Sequence, residues 1–404
     1  MTAPQDLEGC AAGEAPFSTA AGRRERPDSG AEGRAPRDLD GRRVHQIINS
    51  GDLDRGGAER IARMLHEDLR RRGVDARLVS IERSAEPDPP QGLRSLGLPG
   101  PYDPRAIPRI AAYLRGCARA GDIVHAHLFP ASAHVAALRR LGMLRGPCLF
   151  TEHSTSNRRR AHPLGCFFDR FVYRAFDRVA AISGGVEAAL LDAQPQLRGR
   201  TGVVLNGADM RFDRPPDRPA RTGPATVLSI GRLTRPKNYP TALAALALLP
   251  AEAVRYVVLG EGGDRARLEE LAGALGLAGR VSFVGHRSEI APDLRDADIF
   301  LIPSLWEGFG LAAVEAMNAG LPLVAADVPG LREVVGRHGE CAILVDPEDE
   351  AGMAAALASL IADPERRREM GRRGFEMAGR FDRARMTDAY LSLYSRTLRR
   401  TDGA

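Results

Sequence analysis

The hydrophobic positions fall into short apolar runs separated by longer stretches in which apolar residues recur every three or four positions. Runs at 44–49, 76–81, 123–128, 148–153, 179–183 and 202–205 read as buried strands. Residues 58–72, 104–120, 131–141, 163–177 and 184–193 between them read as helices. Residues 84–103, rich in Pro and Gly, read as a loop. A proline-stiffened stretch at 213–224 then separates a second series. Its strands are predicted at 226–230, 255–259, 281–284, 299–302, 322–325 and 342–345, and helices at 353–361, 363–381 and 384–399 close the chain. Repeated βα units require a mostly parallel sheet with right-handed crossovers. The expectation is an α/β protein with two Rossmann-like, doubly wound domains facing across a cleft. Residues 41–212 form the first and 225–380 the second, with 381–404 packing back on the first. Residues 1–40 have almost nothing to bury and are expected to be a disordered tail.

The most informative stretch is 296–321. Ile299 to Ile302 form an apolar run, Gly308 and Gly310 follow, and a helix-forming run from Leu311 is closed by Gly320. Strand, glycine turn and buried helix aim free helix N–H groups at whatever occupies the turn. Glu307 lies in that turn, and Glu315 is the one charge in an otherwise apolar helix. A buried carboxylate costs several kcal/mol unless donors reach it, so Glu315 demands partners.

Charge sharpens the picture. The chain has a net charge of +5 with 57 Lys and Arg, of which only Lys237 is lysine. A composition that uses arginine wherever any cation serves marks Lys237 as a place for a compact ammonium. It stands in Gly231-Arg232-Leu-Thr-Arg-Pro-Lys237, directly after a strand, where Gly231 permits close backbone approach. One planar fork and one point charge there suit a diphosphate. Gly56 and Gly57 between the first strand and helix form a second, weaker cradle. Ligands of such sheets gather at the carboxyl ends of strands, which singles out Asn49, His127 and His153. His125 shares a face with His127 because strand side chains alternate.

At this point the chain resembles a known family. Gly231-Arg232, Lys237-Asn238, Gly260-Glu261-Gly262, residues 281–285 and above all Glu307-Gly308-Phe309-Gly310 followed by Glu315 are similar to the retaining glycosyltransferases of the GT-B fold, typified by glycosyl-transferase family 4. In the first half the likeness is looser: Gly56 to Arg60, His125-Ala-His127, Thr151-Glu-His153 and residues 204–209. The resemblance implies a sugar transferred from a nucleotide diphosphate donor, UDP- or GDP-linked most readily, to a glycan or lipid-linked acceptor. It implies a metal-independent reaction with retention and no cofactor. Glu315 would take the ribose hydroxyls and Glu307 would face the sugar. Backbone N–H groups from Gly308 through Phe309 and Gly310 to Leu311 would join Arg232 and Lys237 on the departing diphosphate. Gly285-His286 would meet the base and His127 the sugar ring, with Gly56, Gly57, His153 and Gly231 lining the substrate site. An epimerase or glycogen-synthase-like enzyme of the same fold, or a non-catalytic sugar-nucleotide sensor, stays open as an alternative.

Other chemistries find less support. Asp296-Ala-Asp298 has the letters of a metal-binding Asp-x-Asp, but sits where a helix runs into a strand. The Gly260 loop lacks the third glycine of a dinucleotide fingerprint. Basic residues are dispersed with few aromatics, which disfavours nucleic acid. Five cysteines without C-x-x-C argue against zinc or a disulfide frame. No apolar run is long enough to span a bilayer, and no leader is recognisable, so the expectation is a cytoplasmic protein, peripheral to the membrane at most. That last option rests on Arg158-Arg159-Arg160 and the 163–178 helix, where aromatics alternate with arginines. An ordinary amphipathic helix with its aromatics in the core would look the same.

Overall fold

The computed structural model describes residues 35–53, 55–84, 91–155, 159, 162–218 and 223–402. Most of the expected tail, part of the linker, Arg158 and Arg160 lie outside the described residues. Among the described residues, the first half holds seven strands: β1 (Arg43–Ile48), β2 (Asp75–Glu82), β3 (Leu93–Leu98), β4 (Ile123–His127), β5 (Cys148–Glu152), β6 (Arg178–Ala181) and β7 (Thr201–Val203). Its helices are α1 (Gly57–Arg71), α2 (Ala106–Cys117), α3 (Ala131–Arg140), α4 (Pro163–Tyr173) and α5 (Gly184–Ala193). The second half has β8 (Ala225–Ile230), β9 (Val254–Leu259), β10 (Val281–Gly285), β11 (Ile299–Ile302), β12 (Leu323–Ala326) and β13 (Ala342–Val345). Around them run α6 (Tyr239–Ala247), α7 (Arg265–Ala274), α8 (Ala291–Asp296), α9 (Leu311–Asn318), α10 (Pro329–Val335), α11 (Glu350–Ala362), α12 (Pro364–Ala378) and α13 (Arg383–Asp402).

Both sheets are parallel, in the orders β3-β2-β1-β4-β5-β6-β7 and β10-β9-β8-β11-β12-β13. Chain direction across each sheet reverses between β1 and β4 and between β8 and β11, and these switch points are where doubly wound sheets open a crevice. The alternation of side chains sets the layers. Ile47, Val79, Val124, Phe150 and Val179 point to the face covered by α2, α3 and α5, while Val44, Ala76, Ile123 and Leu149 point to the face covered by α1 and α13. In the second sheet, Val227, Tyr256, Ile299 and Leu301 meet α6 and α11, whereas Leu228, Phe300, Ile302 and Leu323 meet α9 and α10. Fully covered faces explain why these strands read as continuous apolar runs.

One expectation fails: residues 84–103 are not all loop. Leu93–Leu98 form edge strand β3, paired in parallel with β2 from Leu78↔Leu93. Its sequence, LRSLGL, carries a Gly and only partial burial, so neither continuity nor strict alternation marks it.

The chain crosses between the halves twice, and the crossings touch. The Ala208 N–H donates to Phe381 O at 2.8 Å, and the Arg383 N–H donates to Ala208 O at 3.2 Å. A Cβ on Gly207 would come within 2.5 Å of the Arg383 Cα, so only glycine permits that approach. Past this point α13 lies on α1. Arg383 gathers Asp68 at 2.8 Å and Asp209 at 2.6 Å, and Thr387 Oγ1 donates to Asp68 Oδ2 at 3.1 Å. Asp68 is buried, so removing Arg383 leaves a core charge with only Arg71 and Thr387 to hold it. We expect Arg383→Ala to lower the unfolding free energy by about 3 kcal/mol in urea titration. Arg372→Ala, in an exposed pair with Glu376, should change it by less than about 1 kcal/mol.

Candidate active site

The site is built where the two switch points face each other. On the C-terminal side, β11 ends at Ile302, and Pro303 to Gly310 lead into α9. Gly310 adopts φ 90°, a left-handed conformation that a side chain would strain, and caps the helix. The Phe309 ring is buried against Phe381 at 5.4 Å in an edge-on contact, so only its backbone is available to a ligand. Glu307 Oε1 accepts from Ser304 Oγ at 3.0 Å and from the Lys237 ammonium. The single lysine and the turn carboxylate are therefore in direct contact, although 70 positions separate them.

Gly231, at the end of β8, lies under Lys237. A Cβ there would stand 3.1 Å from the Lys237 Cε, and Tyr239 donates from its hydroxyl to Gly231 O at 3.0 Å. Arg232, next in the chain, is exposed and approaches the opposite domain: its guanidinium carbon lies 4.0 Å from where a Gly56 Cβ would be. Glu59, one turn along, is pushed toward its neutral form by burial, with Arg232 pulling the other way. Gly57 is equally close to the C-terminal domain, since its Cβ would meet the Leu311 Cδ1 at 3.3 Å. Gly308 approaches the N-terminal domain so closely that a Cβ would come within 2.6 Å of His153 O. Ser183 ties the same turn by donating to Gly308 O at 2.8 Å while accepting from the Val186 N–H at 3.1 Å, as the cap of α5. Gly56, Gly57, His153, Arg232, Lys237, Glu307, Gly308 and Leu311 are thus one cluster spanning the cleft.

Glu315 lies one turn deeper in α9 and is 2% exposed. Its Oε1 accepts from the Arg60 guanidinium of the N-terminal domain, and its Oε2 is buried without a partner among the described residues. Sequence reasoning missed Arg60 as a site residue, because nothing distinguishes it among so many arginines. The one available signal was the demand of Glu315 for a donor. His286 follows β10 at the outer side of the site and is exposed. Asp298, by contrast, is occupied in the sheet: its Oδ2 accepts from the Thr226 N–H at 2.8 Å.

Three histidines form a row beneath the cluster, His125 and His127 buried and His153 half-buried. His125 and His127 stack with ring centroids 4.1 Å apart, and His127 Nδ1 lies 3.2 Å from His153 Nε2. His127 Nε2 stands 3.1 Å from Gln46 Oε1. With that oxygen accepting, His127 is the Nε2–H tautomer, and its Nδ1 accepts from His153. His153 Nδ1 is then a buried lone pair without a partner. His125 is held by Thr151 Oγ1 and the Tyr394 hydroxyl, each at 2.8 Å. Burial holds His127 far below the usual histidine range, and drives His125 and His153 down to about 3. Asn49, the third polar strand end, serves its own fold: its amide donates to Phe129 O at 2.9 Å and accepts from the Ala131 N–H at 3.1 Å.

Residues 55–212 match the model of Glycosyltransferase Family 4, and residues 211–377 that of Glycosyl transferases group 1. The D-inositol 3-phosphate glycosyltransferase of Nocardia farcinica is 31% identical over 355 residues, which cover 80% of this chain and 77% of that protein. The chain belongs to the group 1 glycosyltransferases. A lipopolysaccharide core biosynthesis glycosyltransferase, LpsE of Rhizobium meliloti, is 35% identical over 194 residues, 48% of this chain and 54% of its own length. Among solved structures, sucrose-phosphate synthase from Thermosynechococcus elongatus superposes with a TM-score of 0.74 at 24% identity, covering 87% of this chain and 98% of that one. Anabaena HepE in complex with UDP and glucose gives 0.75 at 20% identity, with 87% and 99% covered. The group 1 glycosyltransferase described here therefore has the GT-B fold, two Rossmann-like domains with parallel sheets.

The histidine row carries a testable consequence for this glycosyltransferase. Each of these histidines has a lower folded than unfolded pKa, so the unfolded chain binds more protons below about pH 6.5 and stability falls with acidification. Each contributes about 1.4 kcal/mol per pH unit until its folded pKa is reached. The urea midpoint should drop between about pH 7 and pH 5, and His125→Leu should make that drop shallower.

Proposed function

We propose that the protein transfers a sugar from a UDP- or GDP-linked donor to a glycan or lipid-linked acceptor, with retention and without a metal. The observation that carries this reading is the contact of Lys237 with Glu307 in the turn that leads into α9, with Arg232 following Gly231 beneath that lysine. A leaving diphosphate gains charge as the glycosidic bond breaks. Arg232, Lys237 and the N–H groups from Gly308 to Leu311 supply fixed positive potential at one place, and such preorganised donors stabilise the transition state more than the ground state. They also provide the counter-charge that a metal brings in other architectures. Lys237 would share its three donors between Glu307 and phosphate, leaving Glu307 oriented toward the sugar hydroxyls. His127 is uncharged and buried, so it offers a neutral hydrogen-bonding edge rather than a second cation. Glu315 would bind ribose through its vacant Oε2. That Anabaena HepE was solved with UDP and glucose supports a sugar nucleotide as the donor class.

The donor follows from a thermal-shift panel of UDP-, GDP- and ADP-sugars. At about 100 times its dissociation constant the right one should stabilise the fold by roughly 2.7 kcal/mol. Lys237→Ala should lower kcat by about 10²-fold. Glu307→Ala should abolish transfer while nucleoside diphosphate still binds; retained transfer in that variant would refute the assignment.

The acceptor side is read from α4. Leu164 is 85% exposed, Phe167 73%, and Phe168 and Phe171 41% each, whereas Tyr173 and Phe176 are buried. The helix therefore divides its aromatics between core and solvent. Arg170 and Arg174 are exposed beside them, and the Arg140 guanidinium lies 4.1 Å over the Phe171 ring. Tyr102, Phe129 and Phe168 continue the patch as a chain of ring contacts at 6.1 Å. Apolar rings flanked by arginines complement an anionic lipid surface, on which each cation near the headgroups adds about 1 kcal/mol. No helix among the described residues is long and apolar enough to cross a membrane, so the contact would be peripheral. Phosphatidylglycerol vesicles should retain the protein and phosphatidylcholine vesicles should not. The double variant Phe167→Ser, Phe171→Ser should be released; sedimentation unchanged by lipid charge or by that variant would refute the surface.

A further inference from the structure

The first turn of α1 enters the cleft, and Arg60 carries its guanidinium from the N-terminal domain to Glu315 in the C-terminal one. The two side chains are 30% and 1% exposed. The unpartnered Oε2 is just as buried. One oxygen of the carboxylate is therefore taken from across the cleft, and the other is left without a donor in an apolar helix. Leaving such an acceptor empty is unfavourable, so the site is built for a donor that arrives from outside.

We propose that Arg60 is a positioning residue of the donor site, which by holding one oxygen of Glu315 turns the other toward the ribose and so sets the preference for ribose over deoxyribose. This rests on the reading of Glu315 as the ribose carboxylate. A carboxylate with two free oxygens accepts one hydroxyl on each and can rock to keep one bond when a hydroxyl is missing. A carboxylate with one oxygen held must receive the vicinal hydroxyls on its remaining oxygen, through two lone pairs of fixed direction. A missing hydroxyl is then not compensated by rotation. Fork geometry matters here, because a planar guanidinium fixes the carboxylate plane where an ammonium would not. Burial works against the charge on Arg60, and Glu315 more than offsets it, with Asp209 adding to the same side. The guanidinium therefore stays charged at any working pH. Because Arg60 belongs to the opposite domain, the ribose site is complete only when the domains are together.

Trp306, the only tryptophan, is 40% exposed and adjoins Glu307, so its fluorescence reports binding in the intact chain. The probes are UDP and 2′-deoxy-UDP, with GDP and 2′-deoxy-GDP in parallel. The wild-type protein should bind the ribose form at least about tenfold more tightly, since a site built around a hydroxyl rejects its absence. Arg60→Ala should lose that preference, binding both forms within about twofold of each other, chiefly because the freed carboxylate rocks to serve the deoxy form. Arg60→Lys, which keeps the charge without the fork, should fall between the two, and it carries the test if Arg60→Ala does not fold. An undiminished preference in both variants, or equal weakening of both probes, would overturn the proposal by reducing Arg60 to a domain latch. Glu315→Gln separates the two levels. If it keeps wild-type affinity and preference, the ribose reading itself falls; if it loses the preference while the Arg60 variants keep it, only the role of Arg60 falls.

Discussion

A carboxylate buried in an apolar helix is the constraint around which this molecule is arranged. Glu315 is tolerable at 2% exposure only because a guanidinium reaches it, and that guanidinium comes from the other domain. A buried charge without a partner costs several kcal/mol, which is a large part of the stability of a domain. The cleft is therefore more than a gap between two folded units. Its floor is held by an ion pair to which each half contributes one member, and the glycines at 57 and 308 let the backbones come close enough for it to form.

The same logic extends to the far end of the chain. The last helix, α13, leaves the C-terminal domain and covers the α1 face of the first sheet. Its Tyr394 and Tyr390 reach His125 and Thr151 through their hydroxyls, at 2.8 and 3.0 Å. These contacts complete polar groups on β4 and β5 that would otherwise have only each other, directly under His127 and His153. The two crossings are hydrogen-bonded to each other at Ala208, so the domains are joined by a paired ribbon. Neutral histidines below and fixed cations above leave positive charge on one side of the site only.

Legibility in the sequence followed the physical source of each feature. Strands covered on both faces announced themselves as apolar runs, and β11 with α9 was recognisable because a strand, a glycine turn and a helix must follow one another locally. Edge strand β3 escaped because it is half-buried, contains Gly97 and follows a Pro-rich segment, so its pairing with β2 overrides its composition. Lys237 stood out by rarity. Arg60 did not, since its role depends on a partner 255 positions away. The aromatics of α4 were ambiguous for a related reason: helical spacing puts Phe167 and Phe171 on one side, but only the packing of α3 and β5 decides which side is covered.

By itself the sequence determined two parallel α/β halves, the turn that carries Glu307, and the demand of Glu315 for a hydrogen-bond donor. These are consequences of periodicity, backbone chirality and desolvation, which act within a few residues. Tertiary structure alone decided that Lys237 rests on Glu307, that Arg60 meets Glu315, that three histidines form one neutral row, and that α13 closes the first domain. Those pairings join positions far apart in the chain, and only the packing of two sheets and their crossovers brings them within hydrogen-bonding distance.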